Sequence, residues 1–275
     1  MMIMNNILIG TSGYDYPEWK GVFYPNDLKR KDFLPYYASQ FNALEVNNTF
    51  YNMPTAERLL SFYERSGGNL QFSIKANRLL THGITRQWQN AAAEFISAIA
   101  PLAEKACLCA VLFQFPQSFH YTDENRIYLA KLISEFQGFP VVIEFRHVEW
   151  IKESVLSGLE QRNASLCFCD MPELKALPNM MVSTDSITAR TPFIGPIAYI
   201  RLHGRNADAW YSSANDASSN GSSRYTYDYS DSELSEFVPV IKSAVIAGKK
   251  PVVFFNNHPN GSGARNAGKL KELLQ

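Results

Sequence analysis

The chain has 275 residues, and its 26 Lys plus Arg balance 26 Asp plus Glu, so the formal net charge is zero. That size suits one α/β-barrel domain of roughly 250 residues. The charge balance excludes a field for bulk capture of nucleic acid or anionic membrane, although a local basic site stays open.

The amino terminus, MMIMNNILIG, is apolar but has neither a basic leader nor a small-residue cleavage site, so it reads as a first strand over Ile7–Gly10. No apolar run approaches the ~18 residues of a membrane span. An aromatic loop, YDYPEWKGVFYPNDL, leads to a helix at about 31–40. The second strand is Ala43–Tyr51, and Thr55 is a plausible N-cap for the helix after Pro54. The third strand, Leu70–Asn77, runs into a polar loop through Thr81 and His82, with a helix over roughly 90–104. Cys107–Phe115 is the fourth strand, and Thr122 caps the next helix with Asp123 and Glu124 at its positive end.

The fifth strand, VVIEFRH at Val141–His147, is the most informative stretch. Period two puts Val142, Glu144 and Arg146 on one face and Val141, Ile143 and Phe145 on the other. Apolar residues on both faces suit a parallel sheet covered by helices. A helix from about Glu149 to Arg162 and a sixth strand, Ser165–Asp170, follow. Residues 171–196 hold four prolines and no amphipathic run, so no sixth helix is expected there. The seventh strand is Ile197–His203, and a long loop rich in Ser, Asn, Gly and Tyr leads to a capping box at Ser230 and Glu233. Pro251–Asn257 is the eighth strand, and a glycine-bearing loop opens the last helix. The pattern predicts a single domain over 1–275, a TIM-type (β/α) barrel with an irregular or missing helix after strand six. An open doubly wound sheet is the alternative. No Gly-x-Gly-x-x-Gly follows the first strand, so dinucleotide binding has no support.

The parity of Glu144 picks out polar residues at the carboxyl ends of the other strands. They are Glu45, Asn47 and Thr49; Ser73, Lys75 and Asn77; Gln114; Asp170; Arg201 and His203; and Asn256 and His258. Their repetition argues for one polar chamber at one end of a barrel. Glu45, Glu144 and Asp170 nearly balance Lys75, Arg146 and Arg201. A self-satisfied ion-pair network is the bland reading. Such a cluster is often less stabilising than apolar packing, which favours a functional reason for keeping it.

These stretches also carry a resemblance. IGTSGYDYPEWKGVFYP, EVNNTFY, FSIKANR with a following TH, LFQFP, VIEFRH, YIRLHGR and FFNNH are similar to the YecE-like proteins, the family of domain of unknown function 72. The resemblance implies a TIM-type barrel and no established reaction. The Ser/Asn-rich residues 212–223 depart from it as a local insertion.

Three function classes fit the chamber. The first is a cytoplasmic enzyme using acid/base chemistry on a small phosphate- or carboxylate-bearing substrate. Glu144, Lys75, Glu45, His203 and Asp170 are its candidate catalytic residues. Glu144 or Glu45 would carry the proton, and Lys75, Arg146 and Arg201 would stabilise negative charge. Lys75 as a Schiff-base lysine is a variant. Asn47, Arg146, Arg201, Asn256 and His258, with Tyr14 and Trp210 on the rim, are the candidate substrate-binding residues. Rim aromatics, including Trp19 and Tyr211, would equally suit a sugar. The second class is a metal-dependent phosphodiesterase or nuclease-like hydrolase using Glu45, Glu144, Asp170, His203 and His258. The interleaved cations oppose a metal, and none is expected there. The third is a non-catalytic ligand binder. The cofactor and the oligomeric state are left open; a small-molecule ligand is the expected partner.

The paired cysteines, Cys107/Cys109 and Cys167/Cys169, read as small buried hydrophobes of a reducing cytoplasm, with a thiolate metal site as the alternative. His82, His120 and His147 read as structural. The loop 205–229, with Trp210, Tyr211, Tyr225 and Tyr227, reads as a mobile cover on the chamber. An anion site is expected between Arg201, His258, Gly263 and Asn266 at the start of the last helix.

Overall fold

The structure is a computed structural model that describes residues 6–178, 193–212 and 223–275. Its parallel strands are β1 (Leu8–Ser12), β2 (Ala43–Val46), β3 (Gln71–Lys75), β4 (Leu108–Gln114), β5 (Val141–Glu144), β6 (Ser165–Leu166), β7 (Phe168–Asp170), β8 (Ile197–Leu202) and β9 (Lys250–Phe255). The sheet order is β6-β5-β4-β3-β2-β1-β9-β8-β7. Its two ends, β6 and β7, are one chain segment interrupted at Cys167. The first half pairs with β5 and the second with β8, so the sheet closes on itself as an eight-staved barrel.

The helices are α1 (Phe33–Gln40), α2 (Ala56–Arg65), α3 (Trp88–Glu104), α4 (Asp123–Glu135), α5 (Glu153–Gln161), α6 (Ala207–Ser212), α7 (Asp231–Ile246) and α8 (Ser262–Leu273). Thr55 accepts from the Arg58 N–H and Thr122 from the Asn125 N–H, as their caps require. Both halves of the Ser230–Glu233 capping box are made. Each such cap is worth about 1 kcal/mol. Among the described residues between β7 and β8 there is no helix. The remainder of that stretch, 179–192, and 213–222 of the predicted cover lie outside the described residues.

Several strands are shorter than the sequence pattern predicts, β2 and β5 among them. β2 stops at Val46 because Asn47 turns into the helical region and a 3-10 turn over Asn48–Phe50 follows. β5 stops at Glu144, and a 3-10 turn at Val148–Trp150 precedes α5.

The helices bury their apolar faces on the outside of the sheet, in a core that includes Trp19, Tyr24, Phe33, Phe95, Phe113 and Trp150. A second apolar cluster, including Leu8, Ala43, Val142, Tyr199, Val252 and Phe254, fills the barrel. It forms a dry floor below the polar strand ends. β1 and β2 approach so closely that a Cβ on Gly10 would lie 1.9 Å from the Ala43 carbonyl oxygen.

Candidate functional site

The registers set the polar residues at one height. Ser12 lies beside Glu45, Glu45 beside Ser73, and Gln114 beside Glu144. Arg201 enters this layer from β8 and bridges both acids. Its Nη1 donates to Glu144 Oε2 and its Nη2 to Glu45 Oε1, each at 2.7 Å. Glu45 also accepts from Ser12 Oγ at 2.6 Å and from the Tyr199 hydroxyl at 2.7 Å. Glu144 accepts from Arg146 Nε as well. Glu45, Glu144 and Arg201 are almost fully buried. Burial alone would raise both carboxyl groups. Arg201 overrides it at Glu45, and Arg146 with Arg201 does so at Glu144, holding Glu45 below and Glu144 well below the usual carboxylate range. Both acids are therefore ionised anchors for guanidinium groups and poor carriers of a proton near neutrality.

Arg146 is held differently. Its Nη2 lies 3.1 Å from His203 Nε2, but its Nη1 faces the Met171 thioether at 3.5 Å. Burial and then Arg146 push the His203 imidazolium down to about 3, so the ring is neutral. Arg146 Nη2 faces Nε2, and Asn256 Nδ2 lies 3.1 Å from Nδ1 on the other side of the ring.

Lys75, at the end of β3, keeps partial solvent access. Its Nζ donates to Gln114 Oε1 at 3.0 Å and lies 4.5 Å from the Phe50 ring centre. Protein surrounding the ammonium, and next Arg201, outweigh the attraction of Glu144 and Glu45 and lower it to about 7.

A cavity of about 280 Å³ is lined by His82, Gln114, Arg146, Trp210, Arg224 and Tyr225, among others; Lys75 is not in its lining and meets it through the Gln114 side chain. Its described lining carries two arginines and no carboxylate. Trp210 lies over the Arg146 guanidinium at 5.6 Å, and Tyr225 is 5.9 Å from the His203 ring. These two residues of the predicted cover do reach the chamber. Tyr227 turns away to bond Glu233. The side chain of Tyr211 lies outside the described residues.

The structure brings Glu45, Lys75, Glu144, Arg146, Arg201, His203, Asn256 and Trp210 together, and separates others. Asp170 accepts from the Tyr229 hydroxyl at 2.6 Å and from Arg205 Nε at 3.1 Å, which ties it into the wall below α7. His258 stacks on Tyr16 at 5.0 Å, and its carbonyl receives the Trp19 indole N–H at 2.7 Å. Tyr14 packs against Phe62 and Tyr37 on the outer side. Neither Tyr14 nor His258 is in the cavity lining. Asn47 sits at the start of the turn after β2, with a buried amide oxygen that has no partner among the described residues.

The expected anion site is not formed at the last helix. Gly263 N–H is spent on the Asn257 carbonyl at 2.6 Å, and the Asn266 amide on Tyr229 and Asp228. Arg201 is committed inside the barrel.

Ligand atoms of Glu144, Cys169 and His203 lie within 4.8 Å of one another. Arg146 and Arg201 already bond Glu144, so a cation there would meet two guanidinium groups. The set suits anions better. Sequence reasoning missed Ser12, Tyr199, His82 and Arg224. Ser12 shares the inward parity of β1 and was findable, whereas His82 and Arg224 come from loops that obey no period.

A family sequence model described as "Protein of unknown function DUF72" matches residues 8–275. UPF0759 protein YunF of Bacillus subtilis is 26% identical over 280 residues, covering 98% of this chain and 94% of that protein. UPF0759 protein YecE of Escherichia coli K12 is 24% identical over 172 residues, covering 60% of this chain and 59% of its own. A DUF72 family structure from Thermotoga maritima superposes with a TM-score of 0.83 at 31% identity, covering 98% of each chain. One from Enterococcus faecalis gives 0.80 at 25% identity, covering 98% of this chain and 95% of that one. With a barrel closed as described and a match from the first strand to the last residue, the chain belongs to the DUF72 family.

Proposed function

We propose that the barrel mouth is the active site of a cytoplasmic enzyme that moves a proton on a small phosphate- or carboxylate-bearing substrate. The observation that carries this reading is the cavity wall, whose described residues include Arg146 and Arg224 and no carboxylate. Among the described residues the partner of Arg146 Nη1 is a thioether, so an anionic oxygen there gains a charge-assisted bond. The volume, about 280 Å³, suits a metabolite rather than a polymer.

Lys75 is the proton carrier in this reading. A group poised at about 7 divides its time between base and acid at neutral pH. Glu45 and Glu144 serve it indirectly, by fixing Arg201 and Arg146. A non-catalytic binder has no use for a lysine poised in this way.

Titration with inorganic phosphate and with small dicarboxylates, followed by melting temperature and calorimetry, tests the anion subsite. Millimolar anion is expected to stabilise the parent, and Arg146→Gln to abolish that effect. Equal stabilisation of both proteins would remove the cavity from the proposal.

A further inference from the structure

Outside the chamber, two loops at the same end of the barrel bring a second group of metal-ligating side chains together. His120 lies between β4 and α4, and His147 and Glu149 lie between β5 and α5. His120 Nδ1 is 3.3 Å from Glu149 Oε2, and His147 Nδ1 is 3.6 Å from the same oxygen. The three ligand atoms all fall within 4.8 Å of one another. A tetrahedral zinc ion with its usual bond lengths of about 2.0–2.2 Å needs ligand atoms roughly 3.3–3.5 Å apart. Two edges of the triangle are therefore already near their final length, and all three lie within 4.8 Å.

The surroundings fix the orientation. The Glu149 backbone N–H points at His147 Nδ1 at 3.3 Å, which puts the lone pair on Nδ1 and the proton on Nε2. That is the tautomer an ion at Nδ1 requires, and the long N–H contact gives way to the metal. The Tyr121 N–H holds the Glu149 carboxylate at 3.3 Å. Lys152, the nearby ammonium, lies on the Tyr121 ring at 3.9 Å. Among the described residues, the ion partners of Glu149 are these two histidines. The side chains of His120 and Glu149 are 55% and 46% exposed, so solvent reaches the remaining coordination position.

We propose that His120, His147 and Glu149 form an exchangeable site for a divalent transition metal of the zinc class, with one position open to water. Two imidazoles and one carboxylate select zinc, cobalt or nickel over magnesium or calcium. This site is independent of the chamber. It also revises the expectation that His120 and His147 are merely structural.

The test is a cobalt(II) titration of the tag-free full chain, read by visible absorption, with zinc competition followed by calorimetry. One equivalent per chain is expected to saturate, with four-coordinate nitrogen/oxygen bands and no thiolate charge-transfer band. His120→Ala and Glu149→Gln should each weaken binding by at least about tenfold, the loss that even an outer-shell partner produces. Both positions are exposed, and matching melts of the metal-free variants confirm that the fold is kept. Cys169→Ser should bind as the parent does. The proposal is overturned if no saturable binding occurs or if His120→Ala binds unchanged. It is equally overturned if a thiolate band appears and Cys169→Ser abolishes binding, which would place the ion with Glu144, Cys169 and His203.

Discussion

Arg201→Met removes the cation that joins Glu45 to Glu144 while keeping most of the side-chain volume. In the parent, both acids donate nothing and accept from Arg201 at 2.7 Å in a buried layer. After the change, Glu45 keeps the Ser12 and Tyr199 hydroxyls among the described residues, and Glu144 keeps Arg146. Breaking a buried pair on one side costs about 3–5 kcal/mol at neutral pH, because a desolvated charge is left behind. At about 2–3 °C per kcal/mol for a chain of this size, the melting temperature should fall by about 10 °C. The pH dependence is diagnostic. Parent carboxyl pKa values lie below the ordinary value of 4.5, so their stabilisation is complete above that pH and lost as pH falls through the folded values. In the variant Glu45 loses its main counter-charge and its pKa rises, so the variant gains stability as pH drops from 7 toward 4.5. Denaturant melts at pH 7.5 and pH 5 should therefore show a gap that narrows on acidification. A loss under about 1 kcal/mol, or one equal at both pH values, would refute the reasoning.

Other outcomes follow from the same contacts. Gly10→Ala puts a methyl group 1.9 Å from the Ala43 carbonyl and 2.7 Å from the Tyr37 hydroxyl, so it should cost about 3 kcal/mol or more in a denaturant melt. Trp210→Ala uncovers Arg146, and phosphate affinity by calorimetry should fall roughly three- to tenfold with the melt little changed. Lys75→Met should stabilise the protein at pH 6. The lowered Lys75 pKa means that the unfolded chain holds the proton more tightly, so the parent bears the full cost below about 7 and recovers it as pH rises toward 10.5. Denaturant midpoints at pH 6 and pH 9 would show whether that advantage shrinks.

Much of this was legible in the sequence because a barrel strand has a strict period of two. The parity that put Val142 and Glu144 on one face also predicts Glu45, Lys75 and Arg201, and these side chains do meet. Past a strand's last residue parity is an uneven guide. Arg146, His203 and Asn256 lie one or two residues beyond β5, β8 and β9 and still meet, whereas His258, three residues beyond β9, stacks on Tyr16 instead. Asp170 has the right height and a different partner, because Tyr229 and Arg205 arrive from beyond β8 and compete for it. The protonation states were also out of reach. Three acids and three cations suggest a glutamate as proton carrier until the geometry shows each acid bonded to an arginine. The convergence of His120 with His147 depends on two loops meeting, which no local pattern records.

The central claim is that Lys75, rather than either glutamate, holds the exchangeable proton of the chamber. Its titration can be followed by NMR on protein carrying isotope-labelled lysine, with Lys75→Arg assigning the signal. The account predicts a midpoint near 7; a midpoint near the ordinary 10.5 would contradict it.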